Sequence, residues 1–283
     1  MTHPGELLKQ ANLYAGKEMG QNFLSNPATA QMIVDRSDIS GDTAVLEVGP
    51  GLGALTLPLS GKARQVTAVE KDRRMIPLLE SELALAGRHN VSIINGNILK
   101  TDIKQIAGAE RLSVMGNLPY NISSQILFKL VKTREVIDTA YLMFQKELAR
   151  RLVASPGGRD YSRLTAVVQY AAKVSHVADI SPASFFPRPD VDSTVLKFSF
   201  IHDQGLDDAM EDLLFAVIKA AFSKRRKTLR NAMADGELGL KKSETEAALV
   251  RAGIDPVRRA ETLDLEAFLS ITRAVSDVKQ GLG

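Results

Sequence analysis

Three short segments of the sequence carry residue types that could do chemistry together. The first is Glu47-Val-Gly49-Pro-Gly51-Leu-Gly53, which follows the apolar run Thr43–Val48 and reads as a turn from a buried strand into a helix. Glycines at such a turn let the backbone come close to a nucleotide-like ligand. The spacing is G-x-G-x-G, one residue short of the dinucleotide fingerprint. The ligand therefore need not bring a pyrophosphate, and a compact nucleoside such as S-adenosylmethionine suits the turn better. The second segment is Val69-Glu70, at the end of a second strand, Gln65–Val69. A carboxylate at that edge can accept hydrogen bonds from both ribose hydroxyls. A plain structural turn, with Glu70 capping the next helix or pairing with Lys71 or Arg74, is the competing reading, and the two features together favour the nucleoside. Asn97, in Gly96-Asn97-Ile98 after the third strand, is then placed to contact an adenine edge, or is a simple turn residue.

The third segment is Asn117-Leu118-Pro119-Tyr120, which follows a fourth strand through Gly116. Ligands of open α/β sheets bind beyond the carboxyl ends of the strands, so this tetrapeptide faces the same crevice. Its composition suits an exocyclic amine such as N6 of adenine, whose lone pair is delocalised into the ring. Two acceptors, the Asn117 side-chain oxygen and a backbone carbonyl such as that of Leu118, can hold the two N–H groups and leave the lone pair facing a methyl donor. Pro119 stiffens the turn, and the Tyr120 ring offers a surface for base stacking, worth roughly 1–3 kcal/mol per base. On this reading catalysis is positioning and electrostatics, without a covalent enzyme intermediate. The alternative is an ordinary type I turn.

The elements that must position these segments follow from the apolar pattern. Strands are expected at Thr43–Val48, Gln65–Val69, Val91–Ile94, Leu112–Met115 and Thr139–Phe144. Helices are expected at Ala54–Leu59, Arg74–Ala86 and Ile122–Val131. The alternation implies βαβ crossovers and a largely parallel sheet. Val195–Phe200 alternates apolar and polar residues, as a late antiparallel strand would. Ile201–Asp208 reads as a linker, and Met210–Phe222, Ser243–Ala252 and Leu265–Val275 read as helices. The expected organisation is thus an α/β domain over residues 1–204 and a small all-helical domain over 205–283.

Bulk properties exclude other classes. The chain has 283 residues and no cysteine, which rules out disulfides, thiolate zinc sites and cysteine nucleophiles. The four histidines, His3, His89, His176 and His202, lack metal-ligand spacing, so no metal is expected. No apolar run reaches membrane-spanning length and the N-terminal residues lack a signal pattern, so a cytoplasmic protein without a membrane partner is expected. The net charge of +3 is weak support for a nucleic-acid partner, and the distribution carries more. Lys224, Arg225, Arg226, Lys227 and Arg230 cluster without an acid between residues 221 and 232. A second basic run spans residues 141–173. Such clusters neutralise phosphates and release counterions, although an isolated run is more often a solvated helix face.

The motifs Gly20-Gln-Asn-Phe-Leu24, Glu47–Gly53, Val69-Glu70, Asn117–Tyr120, Phe185-Phe-Pro-Arg-Pro-Asp-Val-Asp-Ser193 and Ala221–Asn231 stand in order over nearly the whole chain. In this the sequence resembles the ribosomal RNA adenine dimethylases, specifically the bacterial 16S rRNA adenine N6,N6-dimethyltransferases. The resemblance implies a Rossmann-like S-adenosylmethionine methyltransferase domain followed by a small all-helical C-terminal domain. It implies that Asn22, Leu24, Gly49, Gly51, Glu70, Asn97 and Asn117 line the cofactor site, and that Phe185 lies opposite Tyr120 with the target base between the rings. The implied substrate is a pair of adjacent adenosines in a loop near the 3′ end of 16S rRNA, as naked RNA or in an assembling 30S subunit; no self-complementary surface pattern argues against a monomer, which is the state expected. Many relatives carry Asp where this chain has Asn97, a neutral acceptor. The family's N-terminal arm is often strongly basic, whereas residues 1–20 here set only Lys9 and Lys17 against Glu6 and Glu18. The 23S rRNA adenine methylases share the domain, and non-catalytic RNA-binding factors keep the fold; both remain as alternatives.

Overall fold

The structure, a computed structural model, describes residues 1–16, 20–203, 205–224 and 226–281. Lys17, Glu18 and Arg225 lie outside the described residues. Chain contacts divide the protein into two compact units, residues 1–149 with 172–201, and residues 150–171 with 202–283.

The first unit contains α1 (Pro4–Gln10), β1 (Phe23–Leu24), α2 (Pro27–Asp35), β2 (Ala44–Val48), α3 (Thr56–Lys62), β3 (Gln65–Glu70), α4 (Ile76–Leu85), β4 (Val91–Asn95), α5 (Ile103–Ala107), β5 (Leu112–Asn117), α6 (Ser123–Lys132) and β6 (Ile137–Gln145). After α7 (Lys146–Leu152) and α8 (Arg163–Ala171), the chain returns to this unit through β7 (Ala172–Ile180), β8 (Phe185–Phe186) and β9 (Ser193–Phe200). Seven strands form one sheet in the order β4-β3-β2-β5-β6-β9-β7. The pairs from β4 to β6 are parallel, and β9 runs antiparallel to both β6 and β7. The expectation of a parallel α/β sheet with a late antiparallel strand is met, and the fold is Rossmann-like.

Local sequence explains the central elements. Val45–Val48 is buried throughout, as a parallel strand covered on both faces must be. The Asn26 side chain caps α2 by accepting from Ala28 N and Thr29 N, with Pro27 at the first helical position. The chain leaves β2 toward β3 and β4 on one side and later enters β5 on the other. This reversal opens a crevice at the carboxyl ends of β2 and β5, where such sheets bind ligands.

The second unit is helical, with α8, α9 (Asp208–Ala221), α10 (Leu229–Met233), α11 (Lys242–Arg251) and α12 (Leu265–Lys279). Asp207 and Asp264 cap α9 and α12 through Met210 N and Ala267 N. Leu214, Ile218, Leu249, Phe268 and Ile271 are fully buried. The segment 150–171, which a linear reading leaves with the first domain, belongs here for a packing reason. Tyr170 stands edge-on to Phe215 at 5.7 Å and Tyr161 lies 6.1 Å from Phe222, which itself packs on Phe268. Among the described residues, no helix is long and apolar enough to cross a membrane.

Two glycines test how tightly the sheet is built around the crevice. A Cβ on Gly116 would sit 2.9 Å from the Val48 carbonyl oxygen, a backbone atom that cannot yield, whereas a Cβ on Gly41 would meet nothing. Gly116→Ala is expected to destabilise by about 1–3 kcal/mol, as overpacking does, and Gly41→Ala to be neutral or slightly stabilising. Urea unfolding of the two variants checks this, and equal midpoints would contradict it.

Candidate active site

A cavity opens at the carboxyl ends of β2 to β5, entirely within the first unit. Its floor is the glycine turn. Gly49 N donates to Val69 O at 3.0 Å, tying the turn to the end of β3. Gly49 has φ +67°, which favours glycine, and a Cβ there would meet nothing within 4 Å. The backbone is thus presented to open space that a ligand can fill.

Glu70 joins the turn to β3. Its Oε2 accepts from Gly51 N at 2.9 Å and its Oε1 from Asp72 N at 2.7 Å, and the residue is buried. Burial raises its pKa, opposed by these two backbone hydrogen bonds. Each oxygen keeps a lone pair toward further donors such as ribose hydroxyls. Asp72 holds Arg74 and also accepts from Gln21 Nε2 at 3.1 Å, fastening the segment that precedes β1. The next residue in that segment, Asn22, accepts through its backbone oxygen from Asn117 Nδ2 at 2.8 Å. The donor end of Asn117 is thereby occupied, and Oδ1 is left as the end that accepts, the polarity that an amine substrate needs.

Asn22, Leu24, Gly49, Gly51, Glu70, Asn97, Asn117, Leu118 and Tyr120 all line this cavity. Asn97 Oδ1 accepts from Leu99 N at 3.0 Å, so part of its acceptor capacity closes the turn after β4. The Tyr120 hydroxyl lies 3.1 Å from Ser193 Oγ, and Tyr120 O accepts from Ser123 Oγ at the start of α6. Ser193, fully buried at the start of β9, was not singled out by its residue type.

Phe185 is elsewhere. It is 4% exposed in the core with Leu24, Ile180 and Val195, and is not among the lining residues. Alternation along β8 is the reason: Phe185 faces the core, while Phe186, 36% exposed, turns the other way and meets the His3 ring edge-on at 5.5 Å. The two-ring sandwich expected around the base is therefore not formed by Tyr120 and Phe185 in this structure.

In the helical unit Lys224, Arg226 and Lys227 are exposed. Arg230 instead bonds both oxygens of Glu246, at 3.0 and 3.2 Å, and is committed to an ion pair inside the unit. Lys146 and Arg150, in the second basic run, pair with Asp192 and Asp160. No cluster of His, Asp or Glu suited to a metal is found among the described residues.

The cavity therefore offers open space over a glycine backbone and a clamped carboxylate at its edge. A second carboxyl, that of Glu47, has a buried Oε2 without a partner. This donor set fits a nucleoside carrying positive charge, which S-adenosylmethionine is.

The family model for ribosomal RNA adenine dimethylase matches residues 13–277. The chain is 52% identical over 275 residues to a ribosomal RNA small subunit methyltransferase A of Desulforapulum autotrophicum, covering 97% of both chains. It is 41% identical to one from Moorella thermoacetica, covering 95% of both. Among solved structures, a dimethyladenosine transferase from Plasmodium falciparum matches with TM-score 0.75 and 28% identity, over 92% of this chain and 98% of that one. The 23S rRNA methyltransferase ErmE matches with TM-score 0.66 and 26% identity, over 90% of this chain and all of that one.

The Tyr120–Ser193 contact can be tested by a double-mutant cycle in urea unfolding. Ser193→Ala and Tyr120→Phe should each lower stability by about 0.5–1.5 kcal/mol, and the double variant by no more than the larger single loss. Simple additivity would show that the two hydroxyls do not bond.

Proposed function

The chain belongs to the ribosomal RNA adenine dimethylase family, and from that premise we propose that it dimethylates N6 of two adjacent adenosines in a loop near the 3′ end of 16S rRNA. The proposed setting is assembly of the small ribosomal subunit in the cytoplasm, with the protein acting as a monomer. As an rRNA adenine dimethyltransferase it uses S-adenosylmethionine, whose sulfonium makes the transferable methyl electrophilic.

The observation that carries this reading is the orientation of Asn117. With Nδ2 spent on Asn22 O, Oδ1 accepts one N6 hydrogen, and the Leu118 carbonyl accepts the other. The amine lone pair then points away from both acceptors, toward the methyl. Tyr120, held by Ser193, supplies the stacking face. Glu70 takes the ribose hydroxyls of the cofactor, and the backbone at Gly49 leaves room for its amino-acid part. Asn97 stands beside the adenine, with the turn to Leu99 holding its side chain in place. Each group binds, orients or polarises, and none forms a bond to the substrate. An RNA loop suits such a site because its bases leave the stack at small cost.

The small-subunit substrate is supported by the 52% identity to a small-subunit methyltransferase, against 26% to the 23S enzyme. The exposed Lys224, Arg226 and Lys227, with Arg225, are proposed as phosphate contacts, and Arg230 as an anchor to Glu246 within the helical unit. Retention of Asn117, Leu118 and Tyr120 around a formed cavity supports an enzyme over a binding factor that has lost catalysis.

Asn117→Ala is expected to reduce the turnover number by about 10²–10³-fold, the scale for removing one aligned polar group. Affinity for small-subunit RNA should stay within about twofold. Turnover close to that of the unaltered protein would remove Asn117 from the proposed role, as would loss of RNA binding along with activity.

A further inference from the structure

The cavity is edged by two carboxyl groups whose surroundings differ. Glu70 is satisfied by two backbone N–H groups. Glu47, two residues before Gly49 on β2, is 1% exposed, and its Oε2 has no hydrogen-bond partner. Its register partners on β3 and β5 are Ala68 and Met115, which offer no polar side chain. From α3 the adjacent group is Thr56, a hydroxyl without charge. The titratable group nearest it on the adjacent strand is Glu70, at the end of β3, which repels a second negative charge. Lys71 is the one cationic side chain among the described lining residues, and it is exposed and screened by water; Met1, which carries the α-ammonium, lines the same cavity. A buried carboxylate in such surroundings is costly, and the cost falls when a cation arrives.

S-adenosylmethionine carries a sulfonium, an ammonium and a carboxylate, and so a net charge of +1. Its demethylated product keeps only the ammonium and the carboxylate, and is neutral overall. We propose that Glu47 distinguishes donor from spent product by charge: protonated in the free protein, it yields its proton to solvent when the cationic donor binds, and recovers one once the sulfonium charge is gone. This rests on the S-adenosylmethionine reading of the cavity and extends it to a specificity-determining residue. In balance, the Glu47 carboxylic acid and the free donor become the carboxylate–donor complex and one proton released to buffer. After transfer the C–S bonding pair remains on sulfur as a neutral thioether, and the carboxylate no longer has a counter-charge. The product is therefore held by one attraction fewer than the donor. Burial and the like charge of Glu70 push the Glu47 carboxyl up to about 8 in the free protein, so the proton is present at neutral pH.

Isothermal titration calorimetry at pH 7, in phosphate and in Tris, tests this on the full chain and on Glu47→Gln. S-adenosylmethionine should bind the unaltered protein with a heat that depends on the buffer, reporting proton release. S-adenosylhomocysteine should show a smaller dependence. In Glu47→Gln the dependence for the donor should shrink to what the donor's own amine and the Glu70 carboxyl, itself raised by burial, contribute. Donor affinity of the unaltered protein should rise between pH 6 and 8, by up to about tenfold per pH unit, and then level off. Equal buffer dependence in the two proteins would overturn the proposal while leaving the cofactor reading intact, as would donor and product affinities that rise in parallel. Absence of donor binding to either protein would overturn the cofactor reading itself.

A second measurement needs no ligand. A carboxyl with a raised folded-state pKa gives stability that is complete below its unfolded-state value and is lost as pH rises toward 8. The melting temperature of the free protein, relative to Glu47→Gln, should therefore fall from pH 4.5 to pH 8. A constant difference would contradict a buried, protonated Glu47.

Discussion

Much of the site hangs on the carboxylate of Glu70. It closes the gap between the glycine turn after β2 and the start of the loop after β3 by accepting from Gly51 N and Asp72 N. A buried carboxylate without such donors would be strongly destabilising, so the two N–H groups are what make a charge tolerable there. The chain of contacts continues outward. Asp72 accepts from Gln21, and the neighbouring Asn22 carbonyl holds the Asn117 amide. A single path of contacts thus links the edge of the cavity proposed to hold the cofactor to the group proposed to hold the target amine. Displacing Glu70 would disturb both ends of the reaction, although the two are far apart in sequence.

This path also explains how a fold used for many reactions becomes a methyltransferase of an unreactive amine. Positive charge is supplied by the cofactor, so the protein brings carboxyl groups, oriented amides and a ring. The structure provides these from backbone turns at the ends of four neighbouring strands, where small displacements are resisted by the sheet. Gly116 shows how closely that scaffold is fitted, with no space for a methyl group beside Val48.

The parallel strands were legible in the sequence because each is a short, largely apolar run, the central ones covered on both faces, and the glycine turn, Glu70 and Asn117 follow directly from their ends. Other features depend on distant partners. The edge strand β7 is partly exposed and shifts register between His176 and Ala178, so its alternation is broken. The two-residue strands β1 and β8 exist only through pairing with each other across 160 residues. The placement of 150–171 in the helical unit rests on Tyr161 and Tyr170 meeting phenylalanines of α9 and its C-cap. The role of Phe185 comes from the family resemblance and that of Arg230 from a basic cluster, whereas strand alternation buries the first and Glu246, 16 residues on, engages the second. Ser193 stands in the sequence only as the last residue of the Phe185–Ser193 motif, since its role lies in the Tyr120 hydroxyl that it meets.

The most direct test is transfer of labelled methyl from S-adenosylmethionine to small ribosomal subunits that lack the modification, with large subunits in parallel, followed by nucleoside analysis. The expected result is N6,N6-dimethyladenosine from the small subunit alone, at two nucleosides per particle. Label in the large subunit, or tight binding to small subunits without any incorporation, would contradict it.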